Sequence, residues 1–354
     1  MVFKPVTSPH RHAALSTAKV MQWVVAALIP GIAVLTWQFG WGTLINIVIA
    51  TATALICEAA IVALRRRSVR FYLQDFSAVV TAFLLAVALP PLAPWWLVVV
   101  ASASAIVVAK QSYGGLGYNP FNPAMVGYVV VLISFPLEMS SWLTPVALLP
   151  TELGHAGVVE ALAVVTGSGG IDAWSGATPL DLFKHGLNGQ LVSDFYANTT
   201  LFSQAAFAGV GWEWVNLAFL AGGAVLLAKG IFTWHAPLAM LSSLAVMAIV
   251  FWDGGSSNSG GSVWLHLFSG ATMLGAFFII TDPVSSAVSV RGRLIFGALI
   301  GVLIYLIRVW GNYPDGVAFA VLLGNFAAPF IDNYTLPRSY GHQRAKRATE
   351  LPNE

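Results

Sequence analysis

The sequence is poor in what thiol and ionic chemistry need. It holds a single cysteine, Cys57, so this chain alone cannot build a disulfide framework, a Cys-x-x-Cys zinc or redox pair, or the thiolate set of an iron–sulfur cluster. Charged residues are only 9% of the 354, against roughly 25% in an ordinary soluble domain, and no nucleic-acid partner is expected. The glycine fingerprint of a dinucleotide-binding fold is missing as well. So is the signal-peptide pattern of a charged stretch, a short apolar core and a small-residue cleavage site, so the first apolar run is expected to direct insertion.

What is abundant is apolar surface. Hydrophobic residues make up 57% of the chain, and at about 20 residues per crossing this suffices for roughly ten membrane spans with no independent soluble domain left over. The apolar runs predict helices near 20–37, 43–64, 75–90, 95–110, 123–136, 205–228, 235–252, 263–281, 293–310 and 316–333. This makes an all-α polytopic membrane protein of two halves, 1–136 and 205–333. Between them lies a loop, 137–204, and after them a basic tail, 334–354.

Charge orients the bundle. With the amino terminus inside, all seventeen Lys and Arg residues except Lys184 and Arg308 fall on the inner side, the Arg65–Arg66–Arg67–Arg70 cluster among them. The loop, with Glu138, Glu152, Glu160, Asp172, Asp181 and Asp194, falls outside. Both termini are then cytoplasmic. Tryptophans at span ends, Trp37, Trp41, Trp95, Trp96, Trp142, Trp212, Trp214, Trp252 and Trp310, read as an interfacial belt, and Trp174 alone is placed to stack on a ring ligand. For Glu58, in the second span, two readings stand: an ion path, or pairing with Arg65 to Arg67. His235 and His266 lack paired haem-ligand spacing and read as satisfied bundle residues.

Five spans per half would set the halves in opposite orientations, the inverted-repeat layout of many transport folds. A helix broken at Pro90 and Pro91 precedes "GLGYNPFNPAMVGY" in the first half, and one broken at Pro283 precedes "LLGNFAAPFIDNY" in the second. Broken helices expose backbone at membrane depth, so "GYNPFNPA" and "IITDPVS" are candidate internal sites, with Asn119, Asn122 and Asp282 as polar groups in costly positions.

The loop carries "IDAWSGATPLDL". Ser175, Gly176 and Ala177 have little bulk, and Pro179 biases Thr178 toward an extended backbone that displays its hydroxyl. Local chemistry leaves two readings open: a hydroxyl presented to a modifying enzyme, or a cap opening a short helix.

The pattern Asp172-x-x-Ser175-Gly176-Ala177-Thr178 is similar to the sequence at which flavin transferases esterify FMN, through its phosphate, to threonine. Together with "GYNPFNPA" and "TDPVS" in a polytopic chain, it resembles the NqrB/RnfD family over essentially the whole length, and the short segment before the first span is closer to the Rnf branch. The resemblance implies covalent FMN on Thr178, with Asp172, Ser175, Gly176 and Ala177 as recognition elements. It also implies a second, non-covalent flavin such as riboflavin in the bundle, for which Asn119 and Asn122 are candidate contacts. It further implies an electron carrier of the bacterial inner membrane, with the flavinylated loop periplasmic, in a complex coupling ferredoxin and NAD electron transfer to Na+ or H+ translocation. Its partners would be the other membrane and redox subunits of an Rnf-type complex, one with an outward-facing flavin, along with a flavin transferase and the lipid bilayer. The rival class is a non-redox transporter or channel of urea-transporter-like inverted-repeat fold.

Overall fold

The computed structural model describes residues 15–335, so the expected positions of the amino-terminal segment and of the tail beyond residue 335 lie outside the described residues. Each expected span is present. The first and second are the helices Thr17–Phe39 and Gly42–Leu64, the third Ser77–Ala88, the fourth Trp95–Tyr113 and the fifth Pro123–Ser134. The sixth and seventh are Trp212–Ala228 and His235–Val250, and the ninth and tenth Val290–Trp310 and Val317–Thr335. The eighth is assembled from pieces, Val263–Phe268, Thr272–Leu274 and Gly275–Ile279. Five of the ten are long and apolar enough to cross a bilayer unaided and four more are apolar but shorter. The chain is an all-α polytopic membrane protein; among the described residues the one β feature is an isolated antiparallel bridge, Leu143 to Ser175.

The short spans have a physical consequence. A helix of 12 residues, as in the third and fifth spans, rises only about 18 Å, short of the roughly 30 Å hydrocarbon core. The rest of those crossings is irregular chain, whose amides and carbonyls need partners inside the protein. Asn46, fully buried in the second span, donates to Pro90 O at 2.9 Å and Pro91 O at 3.1 Å, where the third span ends. Asn216 does the same work in the sixth span: its Nδ2 lies 3.0 Å from Phe268 O and 3.1 Å from Gly270 O, and its Oδ1 accepts from Met273 N at 3.2 Å.

The two halves correspond through these breaks. The third span is preceded by the short helix Val69–Leu73 and a break at which Phe76 is left-handed, φ +61°; the eighth opens with Val263–Phe268 and breaks at Gly270, φ +60°. Ser77 and Thr272 each restart the helix after the break, and each hydroxyl accepts from a buried cation near the end of the following span. Lys110 Nζ lies 2.7 Å from Ser77 Oγ, and Arg308 Nη2 lies 2.9 Å from Thr272 Oγ1. The counterpart of "GYNPFNPA", which leads into the fifth span, is therefore the "GNYPDGVA" of residues 311–318, leading into the tenth. The expected echo at "LLGNFAAPFIDNY" is a correction: those residues lie inside the tenth helix. Likewise the eighth span breaks inside itself at 269–271, ahead of Pro283, because Gly270 turns the chain without a proline.

The first, third, fifth, sixth and eighth spans line two cavities at opposite ends of one axis, joined at one end by the tenth and at the other by Lys110 of the fourth. The second and fourth, and the seventh and ninth, flank this core. Along the ninth span Gly297 and Gly301, spaced as Gly-x-x-x-Gly, bring its backbone against the seventh, where an added Cβ would meet Ala236 O or Met240 O. Gly301→Val is expected to cost about 1–3 kcal/mol through overpacking, read as a lower melting temperature in detergent. Ile295→Leu, on the exposed side of the same helix, should leave it unchanged.

Candidate functional site

The 137–204 segment folds onto the span ends opposite the Arg65–Arg70 cluster, and its polar turn is held by a small strand pairing. Thr144 N donates to Trp174 O at 2.8 Å, and Gly176 N to Trp142 O at 2.9 Å. A Cβ on Gly176 would fall on the side chain of Thr144, so close approach alone demands this glycine. Asp172, Ser175 and Ala177 are exposed, and Ser175 Oγ donates to Asp172 O at 3.2 Å.

Thr178 has the extended backbone expected before proline, φ −72° and ψ 158°. Its Oγ1 accepts from Asp181 N at 3.2 Å and so caps the helix Pro179–Gly186, with Pro179 at the first position. The cap reading is therefore what the structure shows, and the capping residue also stands on the wall of a cavity.

That cavity has a volume of about 520 Å³ and lies between the two halves. Thr178, Asp181, Trp142, Trp212, Tyr128 and Asp315 line it among many aliphatic side chains. Trp142 and Trp212 pack at 5.0 Å between centroids, and Phe39 meets Trp212 at 5.2 Å. The sequence placed these two tryptophans in the interfacial belt, whereas Trp212 is buried and both face inward. Trp37, Trp95, Trp214 and Trp310 are exposed. Trp174, the expected stacking residue, is committed elsewhere: its Nε1 donates to Gly154 O at 3.2 Å, and it does not line the cavity.

Beneath the cavity sits an ion pair that the sequence did not indicate. Arg308, read there as an outer-side cation, is buried, and its guanidinium reaches Asp315 Oδ1 at 2.9 Å, His266 O at 2.7 Å and Ser269 O at 3.4 Å. Asp315 Oδ2 accepts from Ala271 N at 2.8 Å. The pair thus holds the break of the eighth span from both ends, with Asp315 facing the cavity. His266 is satisfied on one side, Nε2 lying 2.8 Å from Gly260 O, while His235 stacks on Trp234.

Two further side chains fix the loop to the bundle. Glu213, buried at the start of the sixth span, accepts from the amides of Ala206, Phe207 and Ala208 at 3.0, 3.0 and 3.2 Å. Lys184, in the helix capped by Thr178, donates to Arg308 O at 3.0 Å, Tyr313 O at 3.1 Å and Gly311 O. Burial draws its ammonium below the ordinary lysine range, and the charge of Asp181 opposes that shift.

At the opposite end lies a smaller cavity of about 110 Å³, lined by Lys110, Ser77, Asn119, Asn122, Thr281 and Asp282 among others. Asn122 caps the fifth span, accepting from Met125 N at 3.3 Å, while its own amide donates to Asn325 Oδ1 at 3.0 Å. Asn119 Nδ2 donates to Phe121 O at 3.0 Å. Glu58 is buried and paired with Lys110 at 2.6 Å and Gln111 at 2.8 Å; Arg65 reaches it only through Gln111. The structure therefore sets Thr178 and the asparagine pair at opposite ends of the axis.

Removing the carboxylate from the Arg308 pair leaves a buried cation with only carbonyl and hydroxyl partners. Asp315→Leu should cost about 3–5 kcal/mol, measured as a loss of thermal stability. Adding Arg308→Met should recover part of that loss, a coupling that a double-mutant cycle reads directly.

Comparison with known proteins finds relatives over nearly the whole chain. A protein of Cellvibrio japonicus is 53% identical over 351 residues, 99% of this chain and 98% of its own. One from Pseudomonas aeruginosa (strain UCBPP-PA14) is 55% identical over 343 residues, 96% of each chain. One from Salmonella newport is 52% identical over 356 aligned positions, 97% of this chain and 100% of its own. All three are named as a subunit of an ion-translocating oxidoreductase complex. The model of the NQR2, RnfD, RnfE family matches residues 5–341, and the chain belongs to that family.

Proposed function

We propose that this chain is the electron-carrying membrane subunit of an ion-translocating oxidoreductase complex, with FMN esterified through its phosphate to Thr178. The observation that carries the reading is the placement of the Thr178 hydroxyl on the wall of a cavity of about 520 Å³ lined by aromatic side chains. That volume lies within the roughly 300–1,000 Å³ of cofactor pockets. The names of the relatives support the assignment to such a complex.

When bound, a flavin supplies acceptance and release of electrons singly or in pairs. The residues of this chain would do the rest. Thr178 would fix the attachment point, Trp142 and Trp212 would offer ring surfaces, and the apolar lining would exclude water. Asp315, neutralised by Arg308, would place a hydrogen-bond acceptor at the wall without a net charge. The chain lacks the cysteine set of an iron–sulfur cluster and a dinucleotide fingerprint, so ferredoxin and NAD chemistry would fall to partner subunits, and attachment to a flavin transferase. In the bacterial inner membrane the loop would face the periplasm and the termini the cytoplasm, with transfer coupled to Na+ or H+ movement.

At the other end Asn122 is engaged as a cap and with Asn325, while Asn119 Oδ1 is buried on the smaller cavity without a hydrogen-bond partner and is the group there that a second, non-covalent flavin such as riboflavin would meet. An open channel is less well supported: Phe219, on the wall of the larger cavity, meets Phe278, on the wall of the smaller, edge to face at 6.0 Å.

The test is a denaturing gel viewed under ultraviolet light after coexpression with a flavin transferase. Fluorescence should stay with the wild-type chain and with Thr178→Ser, and vanish in Thr178→Ala. A dark wild-type band would refute the assignment. Pro179→Ala should slow labelling without abolishing it, since the proline only favours the extended backbone of Thr178.

A further inference from the structure

We infer that the segment from Ile171 to Leu187 is a strap that lifts for flavin attachment and then closes over the cavity, and that Lys184 is the positioning residue that latches it shut. The inference rests on the attachment at Thr178 proposed above.

The need to lift follows from the chemistry of attachment. Thr178 Oγ1 must attack the flavin-side phosphorus of a flavin adenine dinucleotide. The Oγ1–P bond forms as the pyrophosphate P–O bond breaks, AMP departs, and the hydroxyl proton passes to a base on the transferase. That attack needs the hydroxyl in line with the breaking bond at about 3–3.5 Å. In the docked strap the oxygen is occupied as the acceptor of Asp181 N, and Thr178 is half-buried between the bridge at Ser175 and the buried Pro179 and Leu180, which leaves an enzyme no extended segment to grip.

The strap is built to move as a unit. On one side it is preceded by Gly167, φ +86°, and Gly170, and on the other followed by Asn188, φ +42°, and Gly189, φ +80°. A Cβ added at Gly167, Gly170 or Gly189 would meet nothing within 4 Å, so these turns lie in open space and can absorb a backbone change. Between them the helix Pro179–Gly186 buries Leu180 and Phe183 against Leu265, a contact without direction.

The backbone bonds of Trp174 and Gly176 to Thr144 and Trp142 open when the strap lifts, and Lys184 supplies the directed contact on the other side of Thr178. Its ammonium takes the carbonyls of Arg308, Gly311 and Tyr313, the free acceptors at the carboxyl end of the ninth span. The same turn leads to Asp315 on the cavity wall. One side chain thus ties the helix that carries the attachment point to the backbone that floors the site. A latch and a merely structural prop differ in sign: loosening a latch leaves attachment as fast or faster while enclosure is lost, whereas loosening a prop harms both.

The test compares wild type, Lys184→Met and Lys184→Arg as full chains in membranes. With transferase present, K184M should acquire covalent fluorescence at least as fast as wild type. Once attached, its flavin should be quenched by iodide several-fold more strongly, and K184R should resemble wild type in both respects. Without transferase, hydrogen exchange of the amides of Leu180 to Leu187 should be several-fold faster in K184M, with those of the ninth span unchanged. Slower attachment in K184M, unchanged quenching, unchanged exchange in the strap, or faster exchange in the ninth span would each overturn the latch. The exchange experiment needs no flavin, so it decides the latch even if the wild-type chain proves dark and the reading of Thr178 fails.

Discussion

Every architectural feature of this protein depends on how it satisfies backbone groups that helices leave free inside the membrane. Hydrocarbon offers no hydrogen bonds, so a break in a span survives only where a side chain answers it. Three of four buried residues do so directly, Asn46 at Pro90 and Pro91, Asn216 at Phe268 and Gly270, and Arg308 at the break of the eighth span, while Lys110 holds the break before the third span through the hydroxyl of Ser77. None of the four is a surface ornament. Each keeps a half-length helix from being a defect, and half-length helices are what leave room for cavities at the two ends of the axis.

The spans were legible because hydropathy is a property of a window and survives ignorance of neighbours. The tight turns were legible wherever a proline announced them, as at Pro90 and Pro179. Gly270 gave no such signal, since a left-handed glycine within an apolar run looks like any helical glycine until its surroundings are known. Arg308 was assigned to the correct end of its span, but its burial was not legible for a related reason: only the fold brings His266, Ser269 and Asp315 around it. A carboxylate-rich aqueous loop and a buried ion pair differ by a few residues in sequence and entirely in dielectric.

The site shows the same division. Asp172 to Thr178 was legible as a pattern through its resemblance to a modification signal, and Thr178 as a cap through the proline behind it. The cavity was not, because its lining is drawn from six spans and the loop, and no local window contains it. Trp142 and Trp212 illustrate the limit: position at a span end says where along the membrane normal a ring lies and nothing about which way it faces. The reading of Trp174 failed in the same manner, with Gly154 O taking the indole that proximity to the motif had suggested for a ligand.

The bridge between Leu143 and Ser175 bears on how such a loop can change over evolutionary time. It pins both ends of the excursion formed by residues 144–174, so the place of Thr178 is set by the bridge and not by the length of chain in between. Each doubling of such an excursion costs only about 0.6 kcal/mol of closure entropy. Its exposed turn at Gly167, where an added Cβ would meet nothing within 4 Å, is therefore a point at which sequence can be gained, lost or replaced by a reporter domain while Thr178 stays in register with the bundle.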